Sequence, residues 1–203
     1  MKIFCVGRNY ADHAKELKNE VPENPVIFMK PKSALLANPS IFIYPEFTNE
    51  LHYEAELVFR ICKNGRYISK GNALNYVDAV TVGIDFTARD IQTELKSKGL
   101  PWEIAKAWDN SAVVGNWQNL DVDELKEGIP FSLKKDDQFV QQGSSSLMIF
   151  SVGKIINYMS QYFSLNIGDL LFTGTPAGVG ECMVGDTLTG YFKEQTVFET
   201  LVK

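Results

Sequence analysis

The chain has 203 residues, 45% of them hydrophobic and 22% charged, with Lys+Arg 20 against Asp+Glu 25 and a formal charge of −5. A chain of this size and apolar share buries a sizeable core, and no linker or repeat divides it, so a single domain over residues 1–203 is expected. The acidic balance without clustered Lys or Arg argues against a nucleic-acid partner, and no apolar run nears the roughly 18 residues of a membrane span, which leaves small molecules or proteins as partners.

Before charge intervenes, the N-terminus offers only Ile3 to Val6 as an apolar run, too short for a signal peptide. The three cysteines, Cys5, Cys62 and Cys182, form no CxxC pair and read as reduced thiols of a cytoplasmic protein. Strands are predicted at Lys2–Val6, Val26–Met29, Ile41–Tyr44, His52–Cys62, Ala79–Phe86, Phe131–Lys134, Gln138–Gln141, Asp169–Phe172, Thr187–Tyr191 and Val197–Val202. Asn64-Gly65 predicts a hairpin turn between Leu57–Cys62 and Tyr67–Ile68. Three helices are predicted: Tyr10 to Leu17 capped by Asn9, one through Ile91 and Leu95 capped by Thr87 and stopped at Gly99, and Val152–Tyr162 capped by Ser151. Many strands with few helices, not alternating one for one, point to an α+β fold with a rolled or sandwiched sheet.

Five segments carry chemistry. In His52-Tyr53-Glu54-Ala55-Glu56, strand alternation puts His52, Glu54 and Glu56 on one face, the two carboxylates about 6.5–7 Å apart at Cα and within reach of one cation. The plainer alternative is a solvent-facing strand edge. Asp85 ends an apolar run and either projects into a site or caps the next helix; Asp90 reads as a cap. Joined to Glu54 and Glu56, Asp85 completes an all-oxygen site suited to Mg²⁺, Mn²⁺ or Ca²⁺ and poorly to zinc. On a helix, His13 and Glu16 are i and i+3, the makings of a general base, unless both simply lie on the surface. Lys106, alone among apolar and aromatic neighbours, either meets an anionic partner such as the carboxylate cluster or snorkels outward. The segment Gly168 to Gly180 is a strand opening into a glycine-rich turn that lacks the lysine of a phosphate loop; its backbone N–H groups and threonines suit a ligand carboxylate.

In order along the chain, GRNYADHAKE, MKPKSAL, LHYEAEL, DFTARDIQ, KGLPWEIAKAWD, SLMIFSVGKII and GDLLFTGTPAGVG resemble the fumarylacetoacetate hydrolase family, in its short acylpyruvase and oxaloacetate decarboxylase branch. The resemblance implies a mixed, mainly antiparallel β-roll with few short helices, an N-terminal lid segment within residues 1–45, a homodimer, and Mg²⁺ or Mn²⁺ on Glu54, Glu56 and Asp85. It further implies Lys106 beside the metal, a catalytic His13 and Glu16 dyad on the lid, and Arg8, Tyr10, Gln92 and Thr175 as contacts to a small 2-oxo acid. Two positions depart from the family pattern: Leu147 replaces a hydrogen-bonding residue, and Tyr53 stands where a second histidine is common. The activity implied is C3–C4 hydrolysis of acylpyruvates, in which His13 takes a proton from the attacking water and pyruvate enolate departs beside Lys106. Oxaloacetate decarboxylation or isomerisation of a 2-hydroxyhepta-2,4-diene-1,7-dioate fits the same site, and a non-catalytic metal or dicarboxylate binder is the alternative from another class. For the pocket holding the acyl group, Lys30, Lys32 and Trp108 are candidates.

Overall fold

The computed structural model describes residues 1–16 and 21–203, and the backbone alone of residues 13–15. The architecture is α+β, mostly strands with few helices. A seven-stranded sheet runs in the order Val26–Lys30, Ile3–Gly7, Leu170–Phe172, Ala55–Ile61, Val77–Asp85 and Ala112–Val114, with Gln118–Asn119 also pairing to Val77–Asp85. A five-stranded sheet runs Gln138–Ser144, Pro130–Lys135, Thr187–Phe192, Gln195–Val202 and Ile41–Phe42. Leu51–Tyr53, flanked by Gly180–Glu181 and Thr87–Ala88, makes a small third sheet. Pairing is antiparallel except where Ile3–Gly7 meets Leu170–Phe172 and where Gln195–Val202 meets Ile41–Phe42.

Strand alternation explains how the sheets pack. Phe4 and Val6 join Leu57, Phe59, Val80 and Val82 in the main core, which Phe131, Leu133, Leu188 and Phe198 of the five-stranded sheet close from the other side. The intervening residues Ile3 and Cys5 turn to the opposite face of the seven-stranded sheet, where Val58, Ala112 and Phe172 bury with them. A sheet buried on both faces reads as a continuous apolar run, as Ala79 to Ile84 does. The helix Val152–Tyr162 lays its predicted stripe of Ile155, Ile156 and Met159 on the main core, with Ser151 Oγ accepting from Lys154 N–H at 3.4 Å. All three cysteines are free. Among the described residues no helix is long and apolar enough to cross a membrane.

Three local expectations are corrected. Asn9 does not cap helix α1 (Ala11–Glu16): its amide donates to the Phe150 and Thr173 carbonyls and accepts from Phe150 N–H, knitting three segments, while Tyr10 bridges to Met148 and the predicted end, Leu17, lies outside the described residues. Thr87 does not cap α2 (Arg89–Ser97) but accepts from Lys106 Nζ, although the helix stops as predicted at Gly99, where φ is +63°. No hairpin forms at Asn64-Gly65: Gly65 pairs with Leu165, Asn64 Oδ1 accepts from Ile167 N–H, and the chain returns through residues 62–76 to the strand Val77–Asp85.

Candidate active site

The acidic face expected from alternation lies on the second, smaller buried face of the seven-stranded sheet. The predicted strand His52–Cys62 breaks at Glu54, between Leu51–Tyr53 and Ala55–Ile61. Pairing of Ala55 with Ile84 and Glu56 with Gly83, continued by Asp85 N–H donating to the Glu54 carbonyl at 2.9 Å, sets Asp85 opposite Glu54. Glu54, Glu56 and Asp85 are all buried, and one carboxylate oxygen from each lies within 4.8 Å of the other two. The solvent-facing alternative is thereby excluded.

Three cations surround them. Lys106, at the end of the short helix α3 (Glu103–Lys106), donates to Glu54 Oε2 and Asp85 Oδ2 at 2.8 Å each and to Thr87 Oγ1 at 2.6 Å. Burial pulls its ammonium down, but Asp85 and Glu54 outweigh that and hold it above the usual lysine value. Lys30 Nζ lies 2.7 Å from Asp85 Oδ1 and donates to Ser111 Oγ at 2.9 Å. Arg89 pairs with Glu54 Oε1, donates to Gln92 Oε1 at 2.6 Å and reaches His52 Nδ1 at 3.3 Å.

Two features show room for one more positive charge. Asp85 Oδ1, despite its distance to Lys30, accepts no hydrogen bond of good geometry. Among the described residues Glu56 has no cation at ion-pair distance; it accepts only the Gly174 N–H at 2.7 Å. Burial first, then the charges of Asp85 and Glu54, push its carboxyl well above the usual range. Gly174 supplies that N–H from a left-handed conformation, φ +94°, where a Cβ would stand 2.8 Å from Asn9 Cβ. An all-oxygen trianionic set with an unsatisfied corner fits a hard divalent cation.

The cleft above this floor is lined also by Gly7, Arg8, Phe28, Gln92, Lys96, Trp102 and Thr175. Arg8 adopts φ 59° and its buried Nε has no partner. Thr175 Oγ1 accepts from Gln141 Nε2 at 2.8 Å, which leaves the hydroxyl proton available to the cleft. Of the predicted site residues, then, Glu54, Glu56, Asp85, Lys106, Arg8, Gln92 and Thr175 converge. Tyr10 does not line the cleft; it is buried against Phe131 with its hydroxyl unpartnered. The His13 side chain lies outside the described residues, and Glu16 accepts from Gly178 N–H at 3.1 Å, above the glycine-rich segment. That segment's N–H groups at Gly174 and Gly178 are therefore taken by the protein's own carboxylates instead of facing a ligand, and Thr173 turns away to the Leu57 carbonyl.

The acyl-pocket candidates fare differently from expectation. Lys30 is consumed by Asp85, Lys32 is exposed, and Trp108 packs on Phe42 and Phe47. Sequence reasoning missed Arg89 and Lys96, and it named Lys30 for the acyl pocket instead of as the partner of Asp85. Arg89 and Gln92 at i and i+3 on one helix were a usable signal; Lys30 had none, since its partner is 55 positions away.

The chain matches the fumarylacetoacetate (FAA) hydrolase C-terminal family over residues 2–201. It is 41% identical over 192 residues to the mitochondrial oxaloacetate tautomerase FAHD1 of Arabidopsis thaliana, covering 93% of this chain and 84% of that protein. Fumarylpyruvate hydrolase from Pseudomonas aeruginosa, solved in complex with Mn²⁺ and pyruvate, superposes with a TM-score of 0.93 at 36% identity, covering 100% of this chain and 89% of the other. The 2-hydroxyhepta-2,4-diene-1,7-dioate isomerase of Mycobacterium marinum gives 0.85 at 33% identity, covering 99% and 73%.

Proposed function

The chain belongs to the fumarylacetoacetate hydrolase family, and from that membership and its cleft we propose that it cleaves the C3–C4 bond of acylpyruvates, 2,4-dioxo acids, to pyruvate and a carboxylic acid. The observation that carries this reading is the buried triad of Glu54, Glu56 and Asp85 under a cleft whose lining also includes the cations Arg8, Arg89, Lys96 and Lys106. Glu54, Glu56 and Asp85 would hold Mg²⁺ or Mn²⁺, which when bound supplies a Lewis acid to the oxygens of a 2-oxo acid. The Mn²⁺ and pyruvate of the Pseudomonas aeruginosa relative support this choice.

The chain's own residues divide the remaining work. Arg8 and the free amide end of Gln92, whose oxygen is held by Arg89, take the substrate carboxylate. Thr175, fixed by Gln141, donates its hydroxyl proton to a substrate oxygen. His13, oriented by Glu16, takes a proton from the water that attacks C4. The C3–C4 bond then breaks, its electrons pass into pyruvate enolate beside Lys106, and protonation at C3 releases pyruvate. Glu16, docked on Gly178, ties α1 to the loop that carries Thr175, and in this reading the lid is a segment within residues 1–45 that includes α1. The protein works as a cytoplasmic homodimer in this reading, and sedimentation at twice the chain mass checks the dimer.

A second reading, keto–enol interconversion or decarboxylation of oxaloacetate, is favoured by the 41% identity to the mitochondrial oxaloacetate tautomerase FAHD1 of Arabidopsis thaliana. The test is pyruvate release from acetylpyruvate and loss of enol-oxaloacetate absorbance, on wild type and His13→Ala with Mn²⁺. Hydrolysis that falls at least about 100-fold in the variant supports the first reading. Oxaloacetate turnover without hydrolysis supports the second, and silence on both substrates refutes the enzyme.

A further inference from the structure

Strand alternation puts His52 on one face with Glu54 and Glu56, yet its imidazole does not line the cleft. The strand breaks at Glu54, and His52 lies in the small third sheet, its backbone paired with Thr87 just ahead of α2. Arg89 N–H donates to the Glu50 carbonyl at 2.8 Å, which brings the first turn of α2 against the same strand end. The buried Arg89 guanidinium is then divided three ways, with one acceptor to each nitrogen. Nε donates to His52 Nδ1 at 3.3 Å, Nη1 to Gln92 Oε1 at 2.6 Å, and Nη2 to Glu54 Oε1. A planar fork held at all three nitrogens keeps one orientation. Because Nδ1 accepts, the ring proton sits on Nε2, 3.1 Å from Glu50 Oε1.

The consequence falls on Gln92. Its oxygen is taken by Arg89, so its amide nitrogen, a donor only, is the end left for the cleft. With Arg89 turned away, the amide is free to flip, and an oxygen would then face an anionic ligand. We propose that His52 is a positioning residue, whose Nδ1 holds Arg89 in the plane that fixes Gln92 with its amide nitrogen toward the substrate carboxylate. His52 touches no substrate and acts through Arg89. Neither hydrolysis nor enolisation as described above uses this imidazole, one of only two in the chain. The proposal rests on the reading of the cleft as a 2-oxo acid site.

Calorimetric titration with Mn²⁺, and then of the Mn²⁺-saturated protein with pyruvate, reads the effect without turnover. His52→Phe and the smaller His52→Leu should each weaken pyruvate binding at least about tenfold, the scale of one buried donor left without its acceptor. His52→Asn, whose Oδ1 stands close to the place of Nδ1, should stay within about threefold of wild type. In a Gln92→Leu background, where no amide is left to orient, His52→Phe should add less than about twofold. A merely structural role for His52 would give neither the rescue by Asn nor the missing increment in that background. Full affinity in His52→Phe and His52→Leu, a His52→Asn protein as weak as they are, or losses that add in the double variant would overturn the proposal. Wild type that takes up Mn²⁺ but no pyruvate would overturn the reading of the cleft itself, a failure distinct from that of His52.

Discussion

Glu56 is the carboxylate of the cleft with the least to neutralise it, and its ionisation gives the site a pH signature. Its folded value is raised, so the metal-free folded protein keeps a proton that the unfolded chain releases. That contribution to stability is fully present below the unfolded value and is lost as pH rises through the folded one. Chelator-treated protein should therefore lose melting temperature as pH rises above the ordinary carboxylate range, and the stabilisation by added Mn²⁺ should grow with pH, because metal and proton compete for one oxygen. An Mn²⁺ shift independent of pH would place the ion elsewhere. Lys106 poses the complementary case. Lys106→Met leaves Glu54 and Asp85 each short of one buried partner, an expected cost of about 3 kcal/mol in urea denaturation of the metal-free protein, smaller once Mn²⁺ is bound. At this scale Glu54 and Glu56 were legible from strand alternation, Asp85 from the end of its apolar run and Lys106 from its isolation, whereas the pairing of Lys30 with Asp85 and of Arg89 with Glu54 was not, because a long cationic side chain meets a partner on another element only through tertiary pairing.

At the scale of elements, short-range signals misled where a distant partner offered more. Asn9 has the residue type of a cap, yet its three hydrogen bonds reach Phe150 and Thr173, more than 140 positions away. Asn9→Ala strands those backbone groups in a buried setting and should cost about 3 kcal/mol by chemical denaturation, against the roughly 1 kcal/mol of a lost cap. Asn64-Gly65 likewise pairs with the segment before Leu170–Phe172 instead of closing a hairpin, since the long antiparallel pairing of Ala55–Ile61 with Val77–Asp85 takes the strand's other partner further along the chain. The turn at Gly174 positions Glu56, and there the local rule holds. Gly174→Ala forces a Cβ against Asn9 in a left-handed backbone, so a stability loss of about 1–3 kcal/mol and weaker Mn²⁺ binding in the same titration are expected. Ser151 and Gly99 kept their predicted duties because both signals act within one helix turn.

For the whole molecule, the roll places the two acidic strand positions and Asp85 on a sheet face that is not solvent, and that burial converts three ordinary carboxylates into a site. The order of strands could not be read from periodicity, since parallel pairing of Ile3–Gly7 with Leu170–Phe172 joins segments far apart in the sequence. The seven motifs in register carried that information instead. If Glu54, Glu56 and Asp85 form the reaction centre, activity must follow the metal they hold. The most direct measurement is pyruvate release from acetylpyruvate by chelated protein as Mn²⁺ is returned, for wild type and Glu56→Gln. We expect no release without metal, saturation near one ion per chain in wild type, and at least about a tenfold weaker Mn²⁺ dependence in the variant. Release that persists in chelator, or a variant that saturates at the same Mn²⁺ concentration as wild type, would contradict a metal centre on these three carboxylates.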